Sequence, residues 1–137
     1  MSESAVAPLI LAVDDDELSR FLLEAVLVRA GYRVVLAGSG QAALALAAQL
    51  RPAATVCDVR LSDLDGFTVA RALTSERDAG PIPVILLTGY PAPGDAEAAE
   101  AAGAAALLPK SRNRDALLAA LAAALADKSG GPAMRAG

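Results

Sequence analysis

Pro83-Val84-Ile85-Leu86-Leu87-Thr88-Gly89 sets four large apolar side chains in unbroken succession and ends them abruptly in a hydroxyl and a glycine. A strand with one wet face alternates apolar and polar residues, so an uninterrupted run predicts a strand covered on both faces, the situation of a parallel sheet between two helix layers. Working outward in both directions, similar short runs occur at Leu9 to Val13, Arg33 to Ala37, Ala54 to Cys57 and Ala104 to Leu108, and each is followed by a longer alanine- or leucine-rich segment. The chain therefore reads as β then α, five times.

The helices are predicted from spacing and punctuation. The first spans about Glu17 to Ala30, with Leu18, Phe21, Leu22, Ala25 and Val26 on one face and Gly31 as its stop. The second follows Gly38-Ser39-Gly40, carries Leu44, Ala47 and Leu50, and ends before Pro52, which disfavours helix in the residue ahead of it. The third runs from about Gly66 to Arg77, and the fifth from about Arg114 to Ala126 with a Leu118, Leu121, Leu125 stripe. The fourth, Gly94 to Ala102, has few large side chains, so shallow packing is expected. Regular alternation with short, right-handed connections implies an α/β three-layer sandwich. Its five-stranded parallel sheet has the flavodoxin-like order 2-1-3-4-5. Residues 1–6 read as an N-terminal arm, 7–127 as the domain, and 128–137, without a periodic apolar face, as a flexible tail or the start of a linker.

Composition bounds the function. The 137 residues suit one domain, and 55% hydrophobic content, including 34 alanines, can form a core and excludes disorder throughout. A net charge of -4 offers no basic stripe, so direct nucleic-acid binding is not expected. Cys57 is the one cysteine and there is no histidine, which excludes an internal disulfide, a thiolate zinc site, a catalytic histidine and a phosphohistidine on this chain. The first apolar run, Leu9 to Val13, is far below the roughly 18 to 20 residues of a membrane span, and no basic region precedes it; no membrane role and a cytoplasmic location are the expectation.

In a doubly wound sheet, ligands bind beyond the carboxyl ends of the strands. Those positions hold Asp14-Asp15-Asp16 after the first strand, Asp58 after the third, Thr88-Gly89 after the fourth and Pro109-Lys110 after the fifth. In the order 2-1-3-4-5 these four strands are consecutive, so the acids, hydroxyl and ammonium are expected on one rim. Crowded carboxylates require a proton or a cation, and oxygen ligands without imidazole or thiolate favour Mg²⁺. Asp58 is then a candidate nucleophile toward phosphorus, with the metal and Lys110 stabilising charge and Thr88 donating to a phosphoryl oxygen.

On these residues the chain resembles the receiver domain of bacterial response regulators over about residues 7 to 127. The matching motifs are Leu11-Ala12-Val13-Asp14-Asp15-Asp16, Asp58-Val59-Arg60-Leu61-Ser62-Asp63-Leu64-Asp65-Gly66, Thr88-Gly89, and Ala102-Gly103-Ala104 leading to Lys110. The resemblance implies that Asp58 is the phosphoacceptor, that Asp14, Asp15, Asp58 and the Arg60 backbone carbonyl hold Mg²⁺, and that Thr88 and Lys110 sense the phosphoryl group. It further implies a histidine kinase or histidine phosphotransfer protein as donor and an aspartyl phosphate that hydrolyses slowly by itself, with no other enzymatic activity. Output would be through protein contact on the face of the fourth helix, fifth strand and fifth helix, to an unknown partner, with a homodimer left open and the chain either standing alone or cut from a larger regulator.

Three positions depart from the family pattern. Leu61-Ser62 replaces the usual Met-Pro, removing a rigid φ, with Gly66 left to allow a φ above zero. Ser111 follows Lys110 where a cis-bonded proline is usual. Leu107 stands at the aromatic switch position, so the threonine-to-aromatic relay is expected to be absent or replaced. Arg60 and Tyr90, each two residues past a site residue, are expected to flank the site and limit water access. Plainer roles fit the neighbours: Asp16 and Glu17 as helix-end acids, Asp63 and Asp65 as turn residues ahead of Gly66, Cys57 as a small buried hydrophobe, Leu64 and Phe67 as packing. The alternatives are a phosphorylation-independent docking module and, less well matched, a phosphohydrolase of the haloacid dehalogenase type. The latter lacks a later acid pair and a cap segment, while a flavodoxin-like nucleotide binder would need a glycine-rich cradle in place of three acids.

Overall fold

The computed structural model describes residues 6–75, 80–110 and 114–130. Ten elements alternate along it: β1 (Leu9–Val13), α1 (Glu17–Arg29), β2 (Arg33–Ala37), α2 (Gly40–Leu50), β3 (Ala54–Asp58), α3 (Gly66–Thr74), β4 (Val84–Thr88), α4 (Asp95–Ala101), β5 (Ala106–Pro109) and α5 (Arg114–Gly130). All pairings are parallel and the strand order is β2-β1-β3-β4-β5, as the sequence predicts. β3 and β4 are buried along their whole length.

The period-two alternation of the strands divides the core. Leu11, Val13, Cys57, Val84 and Leu86 face α2, α3 and α4, whereas Ile10, Ala12, Val56, Ile85 and Leu87 face α1 and α5. On the α1/α5 side Leu27 and Leu121 are wholly buried, each worth roughly 2 to 3 kcal/mol when withdrawn from water. On the opposite side α4 contributes Ala99 and, just past its end, Ala102 to the buried core, which is the shallow packing its composition implies.

Helix ends follow side-chain capping. Asp16, Ser39 and Asp65 accept from the backbone N–H groups of Ser19, Ala42 and Thr68 at the starts of α1, α2 and α3. α2 ends at Arg51, whose φ of 53° is left-handed, immediately before Pro52. α5 continues to Gly130, past the expected end near Ala126, and α3 stops at Thr74. The expectations for the arm at residues 1–5, for the Arg77 helix end, for Ser111 and for the tail at 131–137 lie outside the described residues.

Two expectations are corrected. α1 does not bury Leu18, Phe21, Leu22, Ala25 and Val26: Leu18, Phe21 and Leu22 are exposed, and Leu23 and Leu27 face the sheet. Eight of the 13 α1 residues are apolar, so periodicity alone cannot choose a face. The choice falls to polar anchors. Asp16 caps the helix and the Arg20 guanidinium donates to the Asp14 carbonyl at 2.7 Å, rolling positions 20, 23 and 27 inward together. Gly66 does not adopt a positive φ. Its requirement is room, since a Cβ there would lie 2.5 Å from the Asp58 carbonyl oxygen.

Candidate functional site

Strand register assembles the site. Val13 pairs with Cys57, so the next residues, Asp14 and Asp58, leave the sheet side by side; Asp58 pairs with Leu87 and Thr88 with Pro109, so Thr88 and Lys110 emerge at the same end. The Lys110 amide donates to the Thr88 carbonyl at 2.6 Å, closing the β4/β5 side of the rim.

The Lys110 ammonium lies 2.6 Å from Asp14 Oδ2 and 3.1 Å from Asp58 Oδ2, bridging two acids 44 positions apart in the sequence. Burial disfavours that ammonium, but the hydrogen bonds and charges of Asp14 and Asp58 outweigh it and hold Lys110 above the ordinary lysine range. Burial pushes the Asp58 carboxyl above its ordinary value, reinforced by the negative charge of Asp14 and opposed by Lys110 and by the Arg60 amide, which donates to Asp58 Oδ1 at 3.3 Å. The second oxygen of Asp14, Oδ1, accepts from the Asp16 amide at 2.9 Å.

Asp14, Asp15 and Asp58 each bring a carboxylate oxygen within 4.8 Å of the others, Asp14 and Asp58 buried and Asp15 exposed. Three hard oxygen donors facing one resident ammonium make a set that fits a small divalent cation. Thr88 supplies a second fit. It is 3% exposed and its hydroxyl has no hydrogen-bond partner among the described residues, a cost of about 1 to 3 kcal/mol that a bound acceptor would remove.

The flanking pair is brought together: an Arg60 guanidinium nitrogen donates to the Tyr90 carbonyl at 3.3 Å, and the Tyr90 side chain stands 80% exposed beside the opening. Leu107 is half-buried against the α2/α3/α4 side of the core, two register positions before the Thr88 pairing, with no ring to rotate. Cys57 donates to the Asp58 carbonyl at 3.3 Å, and burial raises its thiol far out of the reactive range, so it is no rival nucleophile.

Two residues at the site carry more than their sequence reading. Arg20 holds the Asp14 carbonyl, and only its i, i+6 spacing from Asp14 hints at this. Asp63, read as a turn residue, accepts from the Gly40 and Gln41 amides of α2 across 23 and 22 positions, which no local pattern reveals.

An open parallel sheet with an acid cluster, a bridging lysine and a buried hydroxyl at one rim places the chain among the doubly wound α/β domains that carry an acidic site at the carboxyl ends of their strands. Residues 10–122 match the family model of the response regulator receiver domain, and the chain belongs to that family. It is 41% identical over 116 residues to the response regulator MprA of Mycobacterium leprae, covering 85% of this chain and 50% of that protein, and 43% identical over 86 residues to the response regulator PleD of Caulobacter vibrioides, covering 63% and 19%. The chain thus spans half or less of the length of these relatives. Among solved structures, the chemotaxis response regulator CheY4 of Vibrio cholerae shares 30% identity with a TM-score of 0.78, over 87% of this chain and 99% of that one. A response regulator from Chloroflexus aurantiacus shares 32% with a TM-score of 0.82, over 89% and 100%. The domain is therefore a receiver domain of the kind found in two-component response regulators. Among the described residues, no helix is long and apolar enough to cross a membrane.

Proposed function

We propose that this chain accepts a phosphoryl group on Asp58 from a histidine kinase or histidine phosphotransfer protein and signals through protein contact. The observation that carries the reading is the buried Thr88 hydroxyl, without a hydrogen-bond partner among the described residues, on the same rim as Asp58 and Lys110. Asp14, Asp15, Asp58 and the Arg60 carbonyl would hold Mg²⁺, which when bound neutralises charge on the phosphoryl oxygens. An Asp58 carboxylate oxygen forms a bond to phosphorus as the bond to the donor imidazole nitrogen breaks. The electron pair of that bond stays on nitrogen, and the ring departs neutral because its other nitrogen carries the proton. Lys110, already 3.1 Å from Asp58 Oδ2, meets charge on the transferred group, and the Thr88 hydroxyl donates to one of its oxygens. Arg60 and Tyr90 border the entrance and slow hydrolysis by restricting water.

The donor must bring a phosphorylated side chain to this rim. Beside it runs a groove of about 890 Å³ whose lining includes Leu22, Val26, Tyr90, Lys110 and Leu117, continuous with the exposed Leu18, Phe21 and Leu22 of α1. This apolar strip suits a helical donor surface. Output is assigned to the α4, β5 and α5 face, in a cytoplasmic setting, with Leu107 rather than an aromatic ring at the switch position. Incubation with a small acyl phosphate and Mg²⁺ tests the reading by counting phosphate released per chain. One equivalent taken up and slowly lost supports it; sustained turnover on small phosphoesters favours a phosphohydrolase, and no uptake at all favours a docking module.

A further inference from the structure

Leu61-Ser62 gives the acceptor loop no rigid φ, yet the loop is held at three points. Its ends are closed by the Gly66 amide donating to the Val59 carbonyl at 2.7 Å. One flank is tied by Arg60 to the Tyr90 carbonyl. Its apex is tied by Asp63, whose Oδ1 accepts from the Gly40 amide at 2.8 Å and from the Leu64 amide at 2.8 Å, while Oδ2 accepts from the Gln41 amide at 2.9 Å. The neighbouring Leu64 packs so closely on Gly40 that a Cβ at position 40 would lie 2.8 Å from its own Cβ. The start of α2 and the loop apex are thus a single fitted joint.

We infer that Asp63 is a positioning residue for the metal and phosphoryl site, fixing the Asp58-to-Gly66 loop, and with it the Arg60 carbonyl, against the N-terminus of α2. This rests on the phosphoacceptor reading for the role of the Arg60 carbonyl, and on geometry alone for the fixing of the loop. The chemistry favours a carboxylate. Two fixed amides and the positive end of α2 converge on it, each a charge-assisted hydrogen bond. Those same amides hold the Asp63 carboxyl below its ordinary range, so it stays ionised at neutral pH. Removing a group that orients a metal ligand without touching the metal commonly costs 10- to 100-fold in affinity.

The test compares Asp63→Asn with Ser39→Ala. Ser39 caps the same helix, its hydroxyl accepting from the Ala42 amide at 3.1 Å, but makes no hydrogen bond to the loop. In calorimetric titration of the unphosphorylated chain with Mg²⁺, Asp63→Asn is expected to weaken binding about tenfold, and Ser39→Ala to leave it within about twofold. Equal effects of the two variants, or no effect of Asp63→Asn, overturn the inference. Amide hydrogen exchange over residues 60 to 64 of the metal-free chain decides the fixing of the loop without relying on Mg²⁺. Faster exchange in Asp63→Asn alone supports it, and the same rates in all three proteins refute it. A wild-type chain that binds no Mg²⁺ would count against the phosphoacceptor reading instead.

Discussion

Replacing Lys110 with methionine removes the one cation seated in the acid cluster among the described residues, and the structure sets the size of the effect. The ammonium is 2.6 Å from Asp14 Oδ2 and 3.1 Å from Asp58 Oδ2. The two contacts come to about 5 to 6 kcal/mol each at an effective dielectric near 20, most of which is consumed by withdrawing the ions from water. Breaking a fully buried pair costs about 3 to 5 kcal/mol; with the lysine side chain 28% exposed, about 2 kcal/mol is the reasonable share. Lys110→Met should therefore lower the stability of the metal-free chain by about 2 kcal/mol in urea unfolding at neutral pH. The same uncompensated acids should bind Mg²⁺ more tightly, and 2 kcal/mol corresponds to about 30-fold. Calorimetric titration and unfolding with and without Mg²⁺ read both quantities, and added Mg²⁺ should recover the lost stability. Unchanged or weaker Mg²⁺ binding in Lys110→Met would show that lysine and metal do not compete for the same oxygens and would refute this reasoning.

Three further outcomes follow from individual contacts. Thr55 is wholly buried with no partner for its hydroxyl among the described residues, so Thr55→Val should raise stability by about 1 kcal/mol in urea unfolding. Gly66→Ala forces a Cβ to 2.5 Å from the Asp58 carbonyl, a backbone atom that cannot yield cheaply; a loss of about 2 to 3 kcal/mol and weakened Mg²⁺ binding are expected in the same assays. Asp58 has a folded value above its ordinary 3.8, so the folded state holds the proton more tightly and stability falls as pH rises from just below 3.8 through the folded value. Asp58→Asn should therefore be more stable than the wild type at neutral pH without metal, and the advantage should vanish as pH drops below 3.8. An advantage that grew on acidification would contradict the assignment of burial as the dominant cause.

The strands and their order were legible because burial on both faces leaves a mark in one dimension: Val84 to Leu87 and Leu9 to Val13 are unbroken apolar runs with acids, hydroxyl or lysine directly after them. The site was legible for the same reason, since a parallel sheet brings every strand's carboxyl end to one rim, and Asp14, Asp58, Thr88 and Lys110 are all strand-end residues. α1 was not legible. Apolar side chains surround the helix, and the face that packs is chosen by Arg20 reaching the Asp14 carbonyl, a contact between a side chain and a main-chain oxygen that hydrophobic spacing does not encode. Asp63 was hidden similarly, its partners being backbone amides of α2 that carry no residue identity. Gly66 was read as allowing a positive φ that it does not adopt, because sequence shows that a side chain is missing and only packing shows what it would strike.

The central claim is that Asp58 takes the phosphoryl group with a divalent cation beside it. Intact-mass measurement of this chain and of Asp58→Asn, each incubated with a small acyl phosphate with and without Mg²⁺, tests it most directly. The account expects one phosphoryl addition to the wild type with Mg²⁺, little without it, and none to Asp58→Asn in either condition. A phosphoryl addition that survives in Asp58→Asn, or that proceeds equally well after the divalent cation is chelated, would contradict it.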